Sequence, residues 1–186
     1  MEKFCLIAGD VMDERPAYPS HSLSPSASSR IAPTPNGVAI GLDDDVMAIK
    51  DRLCGLSSKL KLIPILGMGG IGKTTLARTV YEDPLIMYRF HIRVWLTISQ
   101  DYNARKVLLS LVDSMKLMEE HMPRLEMDDV SILAEKVYKN LKGRKYLVVM
   151  DDVWSTKVWD DVRNVFPDDG NGSRIMLTTR LADVVK

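Results

Sequence analysis

The chain has 186 residues, of which 46% are hydrophobic, so we expect a globular domain with a buried core. Its 25 basic residues balance 25 acidic residues, and this zero net charge gives no electrostatic signal for binding nucleic acid or an anionic membrane. No apolar run is long enough for integral membrane association, and the two cysteines, Cys5 and Cys54, lack metal-ligand spacing, which together favour a soluble cytoplasmic protein.

The first part of the chain differs in composition from the rest. Residues 16–37 are rich in proline and serine, and such a segment buries too little apolar surface to offset its ordering entropy. We therefore expect a disordered leader over residues 1–37 and a folded domain over residues 38–186. In that domain, Asp43-Asp44-Asp45 predict the start of an amphipathic helix by capping and by their charge. Its apolar face carries four side chains: Val46, Ile49, Leu53 and Leu56.

A phosphate-binding loop is the most specific motif of the chain. A strand candidate at residues 62–66 leads into Gly67-Met68-Gly69-Gly70-Ile71-Gly72-Lys73-Thr74, which fits the pattern G-x-x-x-x-G-K-[ST], and a helical stretch follows. Glycines let backbone N–H groups surround phosphate oxygens, and a helix N-terminus adds partial positive charge. We expect Lys73 to reach the β- and γ-phosphates and the Thr74 hydroxyl to bind Mg²⁺. A chance glycine-rich turn is the alternative, which the flanking strand and helix disfavour.

Further strands and helices follow along the chain. Pro64 cannot donate to a β-ladder, so we expect it at a sheet edge or where its missing N–H faces no partner. Residues 91–98 predict a second strand. Apolar side chains at helical spacing predict helices over residues 107–115 and 130–141, separated by a loop that contains Met122-Pro123.

A buried strand followed by two aspartates supplies the second half of the expected site. Residues 146–150 form a continuous apolar run, typical of a central parallel strand, and Asp151-Asp152 follow it directly. We expect Asp151 to hold Mg²⁺ opposite Thr74. Asp152 would orient or deprotonate an attacking water, or serve the metal shell instead. A pair of helix-capping aspartates in a loop is the alternative interpretation.

The last predicted strand ends at a cation. A short helix over residues 157–165 and a turn precede a strand at residues 174–179, and Arg180 follows it. Arg180 is placed either to contact a γ-phosphate, and so to distinguish ATP from ADP, or to be an ordinary surface arginine or a partner to Asp183. Trp154, just after the two aspartates, is expected to pack its loop onto the fold without touching a ligand.

The alternation of strands and helices predicts an α/β fold with a parallel sheet and right-handed crossovers. Together with the phosphate loop, it indicates a P-loop NTPase three-layer sandwich of about four strands. Such folds place their ligand at the carboxyl ends of the strands, where the loop, the two aspartates and Arg180 would meet.

Four motifs in this order resemble the NB-ARC module of plant intracellular immune receptors, the NLR or NBS-LRR proteins, in their coiled-coil class. They are the phosphate loop at residues 67–77, the strand that ends in Ser-Gln at residues 90–100, Asp-Asp-Val-Trp within residues 147–154, and Thr-Thr-Arg within residues 172–180. The sequences of residues 151–154 and 166–169 are similar to those of late-blight resistance proteins of the nightshade family.

The resemblance implies a nucleotide switch in defence against pathogens. ADP would be bound at rest and ATP in the active state, with Mg²⁺, and slow hydrolysis would reset the switch with Lys73 and Asp152 as catalytic residues. Val38 and Ile40 would lie against adenine. The expected cofactor contacts are Val38, Ile40, Gly67, Met68, Gly69, Gly70, Ile71, Gly72, Lys73, Thr74, Thr75 and Arg180, with Thr74 and Asp151 at the metal.

The resemblance also implies that parts of the family's architecture, among them a coiled-coil domain, a fifth core strand and leucine-rich repeats, are missing from these residues. Because the fifth strand would flank the phosphate-loop strand, we expect a truncated sheet with an open edge. Such an edge favours association, for instance with full-length NLR proteins. Two alternatives stay open: a free-standing P-loop ATPase, and a truncated, non-catalytic adaptor or gene remnant.

Overall fold

The computed structural model describes residues 42–117 and 129–181 of the chain. Its strands are β1 (Lys61–Leu66), β2 (Ile92–Thr97), β3 (Tyr146–Val153) and β4 (Arg174–Thr179). Its helices are α1 (Asp43–Cys54), α2 (Lys73–Tyr81), α3 (Pro84–Arg89), α4 (Ala104–Ser114), α5 (Val130–Leu141) and α6 (Thr156–Val162), the last followed by a 3₁₀ turn at Arg163–Val165. None of the helices in these two ranges has the length and apolar character needed to cross a bilayer.

The four strands form one parallel sheet in the order β1-β4-β3-β2. β1 and β4 align from Lys61 opposite Arg174 to Leu66 opposite Thr179. At the other side of the sheet, β2 pairs with β3 and places Thr97 opposite Asp151. All four carboxyl ends therefore meet along one edge of the sheet, as the predicted site requires.

Apolar side chains cover both faces of the sheet. On one face, α4, α5 and α6 bury residues such as Leu111 and Val137 against the strands. On the other face, α1, α2 and α3 bury residues such as Ile49 and Leu76. Successive residues of β3 contribute alternately to the two layers, because side chains alternate across a strand. The three-layer α/β fold predicted from the sequence is confirmed.

Two helices differ from the prediction. α3 is not predicted from the sequence. It begins where the Asp83 side chain accepts the N–H of Leu85 at 2.9 Å, and Pro84 enters its first turn without losing a hydrogen bond. α1 ends two residues before Leu56, so this residue, expected on the apolar face, is fully exposed. The N-cap of α1 is Leu42, without a side-chain hydrogen bond, so the aspartates of the first turn favour the helix through its dipole rather than by capping.

Pro64 lies in an edge strand, since β1 has β4 on one side and no strand on the other among the described residues. The N–H groups of Lys61 and Gly67 donate toward β4, to the carbonyls of Ser173 at 3.4 Å and Thr179 at 3.3 Å. Backbone groups alternate in direction along a strand, so those of the even-numbered residues, Pro64 included, point away from β4. Among the described residues, Pro64 thus lies at a sheet edge, one of the two positions predicted for it, and its missing N–H leaves no gap in the ladder with β4.

Arg174, the first residue of β4, is fully buried and fixes the chain segment that leads into β1. Its guanidinium donates hydrogen bonds to five backbone carbonyls, those of Arg52 (3.4 Å), Gly55 (3.2 Å), Ser57 (2.8 Å), Lys59 (2.9 Å) and Ser173 (2.8 Å). Some of these carbonyls lie at the C-terminal end of α1, where the helix dipole favours a cation. Arg174 therefore joins α1, the following loop and the sheet at the end opposite to the predicted site.

Several predictions concern residues outside the described ranges. These are the leader over residues 1–37, the adenine contacts Val38 and Ile40, and the loop that contains Met122-Pro123.

Candidate functional site

The phosphate loop joins β1 to α2 and ends at Gly72, the residue before the first turn of that helix. Gly72 has φ of 102°, in the left-handed region that favours glycine, and no side chain caps the helix. The first N–H groups of a helix lack partners within it, so they are available to an anion together with the helix dipole. The strand–loop–helix context expected for the pattern is present.

Lys73, the first residue of α2, is only 7% exposed. Its Nζ donates hydrogen bonds to the backbone carbonyls of Gly67 and Met68, both at 2.8 Å. Burial, and then the positive charge of Arg180, lower the pKa of Lys73 from its usual value, while the two aspartates of β3 act in the opposite direction. The ammonium group is thus held inside the curve of the loop by neutral acceptors, which are weaker partners than a charged phosphate.

Asp151 accepts hydrogen bonds from two threonine hydroxyls. Thr74 Oγ1 lies 2.9 Å from Oδ1 and 3.1 Å from Oδ2 of the carboxylate, and Thr178 Oγ1 donates to Oδ1 at 2.6 Å. The same Thr178 oxygen accepts the backbone N–H of Asp152 at 2.8 Å. Asp151 and Thr178 are both buried, whereas Thr74 is exposed, so the contact with Thr178 is shielded from water and the contact with Thr74 faces the cavity. Thr178, which the sequence analysis does not single out, therefore positions both aspartates.

β3 continues through the two aspartates, which were expected to follow the strand. The register between β3 and β4 shifts between Met150 and Val153, and Asp152 within this shift has φ of 59°. An irregularity of this kind redirects a side chain at the rim of a sheet and lets the strand continue beyond it. The Asp152 side chain is 35% exposed, and with Asp151 it lines the cavity at this edge.

Arg180 follows β4 and contacts three parts of the site. Its Nε lies 3.8 Å from Asp152 Oδ1. Its Cζ lies 4.7 Å from the centroid of the Trp154 ring, in a cation–π arrangement. A Cβ atom at Gly69 would lie 2.9 Å from Nη1 of Arg180, so the absence of a side chain at Gly69 permits this close approach. The guanidinium therefore bridges the phosphate loop and the end of β3.

These elements surround a cavity of about 360 Å³ at the carboxyl edge of the sheet. The residues that line it are Gly70, Gly72, Lys73, Thr74, Thr75, Thr97, Asp151, Asp152 and Arg180. All but Thr97 are candidates from the sequence. Thr97 lines the cavity because the alignment of β2 with β3 sets it opposite Asp151, and no local pattern marks it. The remaining candidates of the loop, Gly67, Met68, Gly69 and Ile71, form its backbone rather than the cavity lining.

The described residues offer few metal ligands. Within residues 42–117 and 129–181, no group of three or more histidine, cysteine, aspartate or glutamate side chains could hold a metal ion. Thr74 and Asp151 supply one hydroxyl and one carboxylate in direct contact. This hard oxygen set fits Mg²⁺, which binds one or two protein oxygens and completes its shell with phosphate oxygens and water.

Comparisons with known proteins identify the family of the chain. The NB-ARC domain family matches residues 42–186. The chain is 34% identical over 151 residues to the disease resistance protein RPP13 of Arabidopsis thaliana, covering 80% of this chain and 18% of that protein. It is 39% identical over 161 residues to the late blight resistance protein homolog R1B-19 of Solanum demissum, covering 86% of this chain and 12% of that protein. The chain thus spans less than a fifth of these relatives.

The fold also resembles a solved structure of low sequence similarity. Cdc6p from Pyrobaculum aerophilum matches with a TM-score of 0.57 and 11% identity, over 80% of this chain and 41% of that protein. At this identity the likeness concerns the fold alone.

Proposed function

The chain belongs to the NB-ARC domain family, which binds nucleotide, and from that premise we propose that it is the ADP/ATP switch module of a plant intracellular immune receptor that acts in defence against pathogens. We place its action in the cytoplasm. The observation that carries the proposal is the convergence of Lys73, Asp151 and Arg180 on one cavity behind the phosphate loop.

In this proposal the phosphates bind at the N-terminus of α2. The N–H groups of its first turn, including those of Thr74 and Thr75, and the backbone of residues 67–72 surround the phosphate oxygens. Lys73 exchanges its two carbonyl acceptors for β- and γ-phosphate oxygens, which are charged and so form stronger hydrogen bonds. Val38 and Ile40 are proposed against adenine on the family resemblance.

We propose Thr74 and Asp151 as the protein ligands of Mg²⁺. When bound, the cation would neutralise charge on the phosphates. Thr178 supports the role of Asp151, because its hydroxyl holds Oδ1 at 2.6 Å and so fixes the carboxylate with both oxygens within 3.1 Å of Thr74 Oγ1.

Asp152 is the proposed base or water-orienting residue in slow hydrolysis of ATP to ADP. Its carboxylate is partly exposed and lines the cavity, as this role requires. The Arg180 cation, 3.8 Å away, competes with a water molecule for the same carboxylate, which is consistent with slow turnover. We also propose Arg180 as the sensor of the γ-phosphate. Because Arg180 is already paired with Asp152, it must change partners to bind a γ-phosphate, as a switch requires.

We also propose that the domain associates with full-length NLR proteins. The outer side of β1 supports this proposal, since no described strand pairs with it. Family membership favours the receptor switch over a free-standing ATPase, and no observation favours a non-catalytic remnant.

The experiment that tests the function uses the full chain. The purified protein is denatured and its released nucleotide identified by chromatography, and Mg²⁺-ADP is titrated into nucleotide-free protein by calorimetry. We expect co-purified ADP near one per chain and a loss of binding in Lys73→Ala. Lys157→Ala, at an exposed position in α6, is the matched control and should bind as the wild type does. Equal binding by Lys73→Ala and wild type, or no binding by the wild type, would overturn the proposal.

A further inference from the structure

Trp154 lies in a short connection, Trp154-Ser155, between β3 and α6, beside Arg180. Both ends of this connection are fixed. Val153 is the last residue of β3, and the Ser155 hydroxyl caps α6 by accepting the N–H of Lys157 at 3.2 Å. The partly buried indole therefore presents a defined face to the guanidinium, whose Cζ lies 4.7 Å from the ring centroid.

The contacts of Arg180 differ in how they respond to an incoming charge. Asp152 attracts the guanidinium at 3.8 Å, so an anion entering the cavity competes with this carboxylate for the same cation. The face of an indole attracts a cation through its quadrupole, whichever way the guanidinium turns in its own plane. Arg180 can therefore exchange Asp152 for a phosphate oxygen while it remains stacked on Trp154.

The exposure of Arg180 makes this ring contact important. The Arg180 side chain is 46% exposed, and a free arginine side chain has many accessible rotamers. Stacking restricts it to those that keep the guanidinium between Gly69 of the phosphate loop and Asp152. Less side-chain entropy is then lost when a phosphate oxygen binds.

We propose that Trp154 is a positioning residue that holds the Arg180 guanidinium at the cavity and thereby favours a nucleoside triphosphate over the corresponding diphosphate. The inference rests on the proposed function, because it requires that the cavity bind nucleotide. It goes further in assigning a specificity role to a side chain that is not among those lining the cavity. A tryptophan that only packs its loop would affect both nucleotides equally.

The test compares variants of the full chain with two ligands, Mg²⁺-ADP and a Mg²⁺-bound non-hydrolysable ATP analogue, by calorimetry. Trp154→Leu keeps apolar bulk and removes the aromatic face, and Trp154→Phe keeps a weaker face. The matched control is Trp159→Phe, since Trp159 stacks on Phe166 at 6.0 Å, away from Arg180. We expect Trp154→Leu to weaken binding of the triphosphate analogue by about two- to five-fold and to leave ADP binding unchanged. Trp154→Phe should lie between, and Trp159→Phe should preserve the wild-type ratio.

Tryptophan fluorescence supplies a second readout that loop packing alone would not move. Binding of the triphosphate analogue should change the emission of the wild type and of Trp159→Phe, because the Arg180 guanidinium turns in its own plane over the Trp154 ring as it exchanges Asp152 for a phosphate oxygen. The change should be absent in Trp154→Phe and in Arg180→Leu. An equal loss of affinity for both ligands in Trp154→Leu, or the same emission change in Trp154→Phe, would overturn the inference alone. A wild type that binds neither ligand would instead overturn the proposed function on which it rests.

Discussion

The two ends of β4 hold two arginines in opposite ways. Arg174, at the amino end, is fully buried, and five backbone carbonyls accept hydrogen bonds from its guanidinium. Arg180, just past the carboxyl end, is 46% exposed and lies between an aromatic ring and a carboxylate 3.8 Å away. The two arginines are only six residues apart. Arg174 is a fixed structural element, whereas Arg180 can change partners.

The difference shows which surroundings hold a cation in place and which allow it to exchange a partner for an incoming anion. Backbone carbonyls are part of the chain and cannot leave, so Arg174 can move only if the segment from α1 to β1 moves with it. The partners of Arg180 are side chains at the rim of a cavity, and an anion can replace one of them. The stability of the fold therefore depends on one end of β4, and the proposed response to nucleotide depends on the other.

Of the substitutions that test this difference, Arg174→Leu should have the largest effect on the free energy of unfolding. Removing the guanidinium leaves buried carbonyls without donors, so we expect a loss of about 3–5 kcal/mol in the free energy of unfolding. Arg180→Leu, the matched control at the other end of the strand, should change it by less than about 1 kcal/mol. Urea denaturation of both variants measures the difference. Similar losses in the two would contradict the division between a structural and a responsive arginine.

Two adjacent threonines, Thr178 and Thr179, should differ in their effect on nucleotide binding although both stabilise the fold. Thr178 bonds to Asp151 and to the N–H of Asp152, whereas Thr179 donates to the Val153 carbonyl at 2.8 Å and accepts from the N–H of Leu181. Thr→Val at either position should lower the free energy of unfolding by about 1–2 kcal/mol.

Only Thr178→Val should also weaken Mg²⁺-dependent nucleotide binding, by about 10-fold, because it releases the proposed metal ligand. Calorimetric titrations with and without Mg²⁺ measure this effect. If Thr179→Val weakened binding as much, the effect would reflect general loss of packing at the end of β4.

The smallest effect concerns a third cation, Lys50, which is held by a carboxylate. Its Nζ lies 2.7 Å from Asp83 Oδ2, and both side chains are about one-fifth exposed. The hydrogen bond from Lys50 is the main cause that lowers the pKa of Asp83, and the N–H of Leu85 adds to it. The resulting stabilisation is complete above the unfolded-state pKa of about 3.9 and is lost as the pH falls through the lower folded-state value.

Asp83→Asn keeps an acceptor for the N-cap of α3 and removes the charge, so it should lower stability by about 1 kcal/mol at neutral pH. The gap between wild type and Asp83→Asn should close as the pH is lowered below 4, measured by denaturation at several pH values. The deficit of Arg174→Leu should stay constant over the same pH range, because carbonyls do not titrate. A deficit in Asp83→Asn that is independent of pH would show that the ion pair contributes nothing.

The sequence predicts the fold through local signals. The pattern of Gly67 to Thr74, the apolar run of β3 and the Thr-Thr-Arg segment each identify a strand end without knowledge of its neighbours. Parallel strands bring such ends to one edge, so the composition of the site follows from the order of motifs. Family membership and the three-layer α/β fold are confirmed, whereas the ligand roles of the individual residues stay predictions.

Other features depend on how distant segments align, and no local pattern reports them. Thr97 lines the cavity because β2 aligns with β3, and Thr178 reaches both aspartates because the β3–β4 register shifts at Asp152. The stacking of Trp154 on Arg180 joins residues 26 positions apart. α3 is missed because it is only six residues long and depends on its cap.

Pro64 has a consequence for fibre formation. A strand that added to the outer side of β1 would find backbone donors at Leu62 and Leu66 and none between them. Cross-β growth requires that each new chain present a full row of donors and acceptors to the next. A single proline at this position interrupts that row, so an exposed β1 is a poor template for fibre growth.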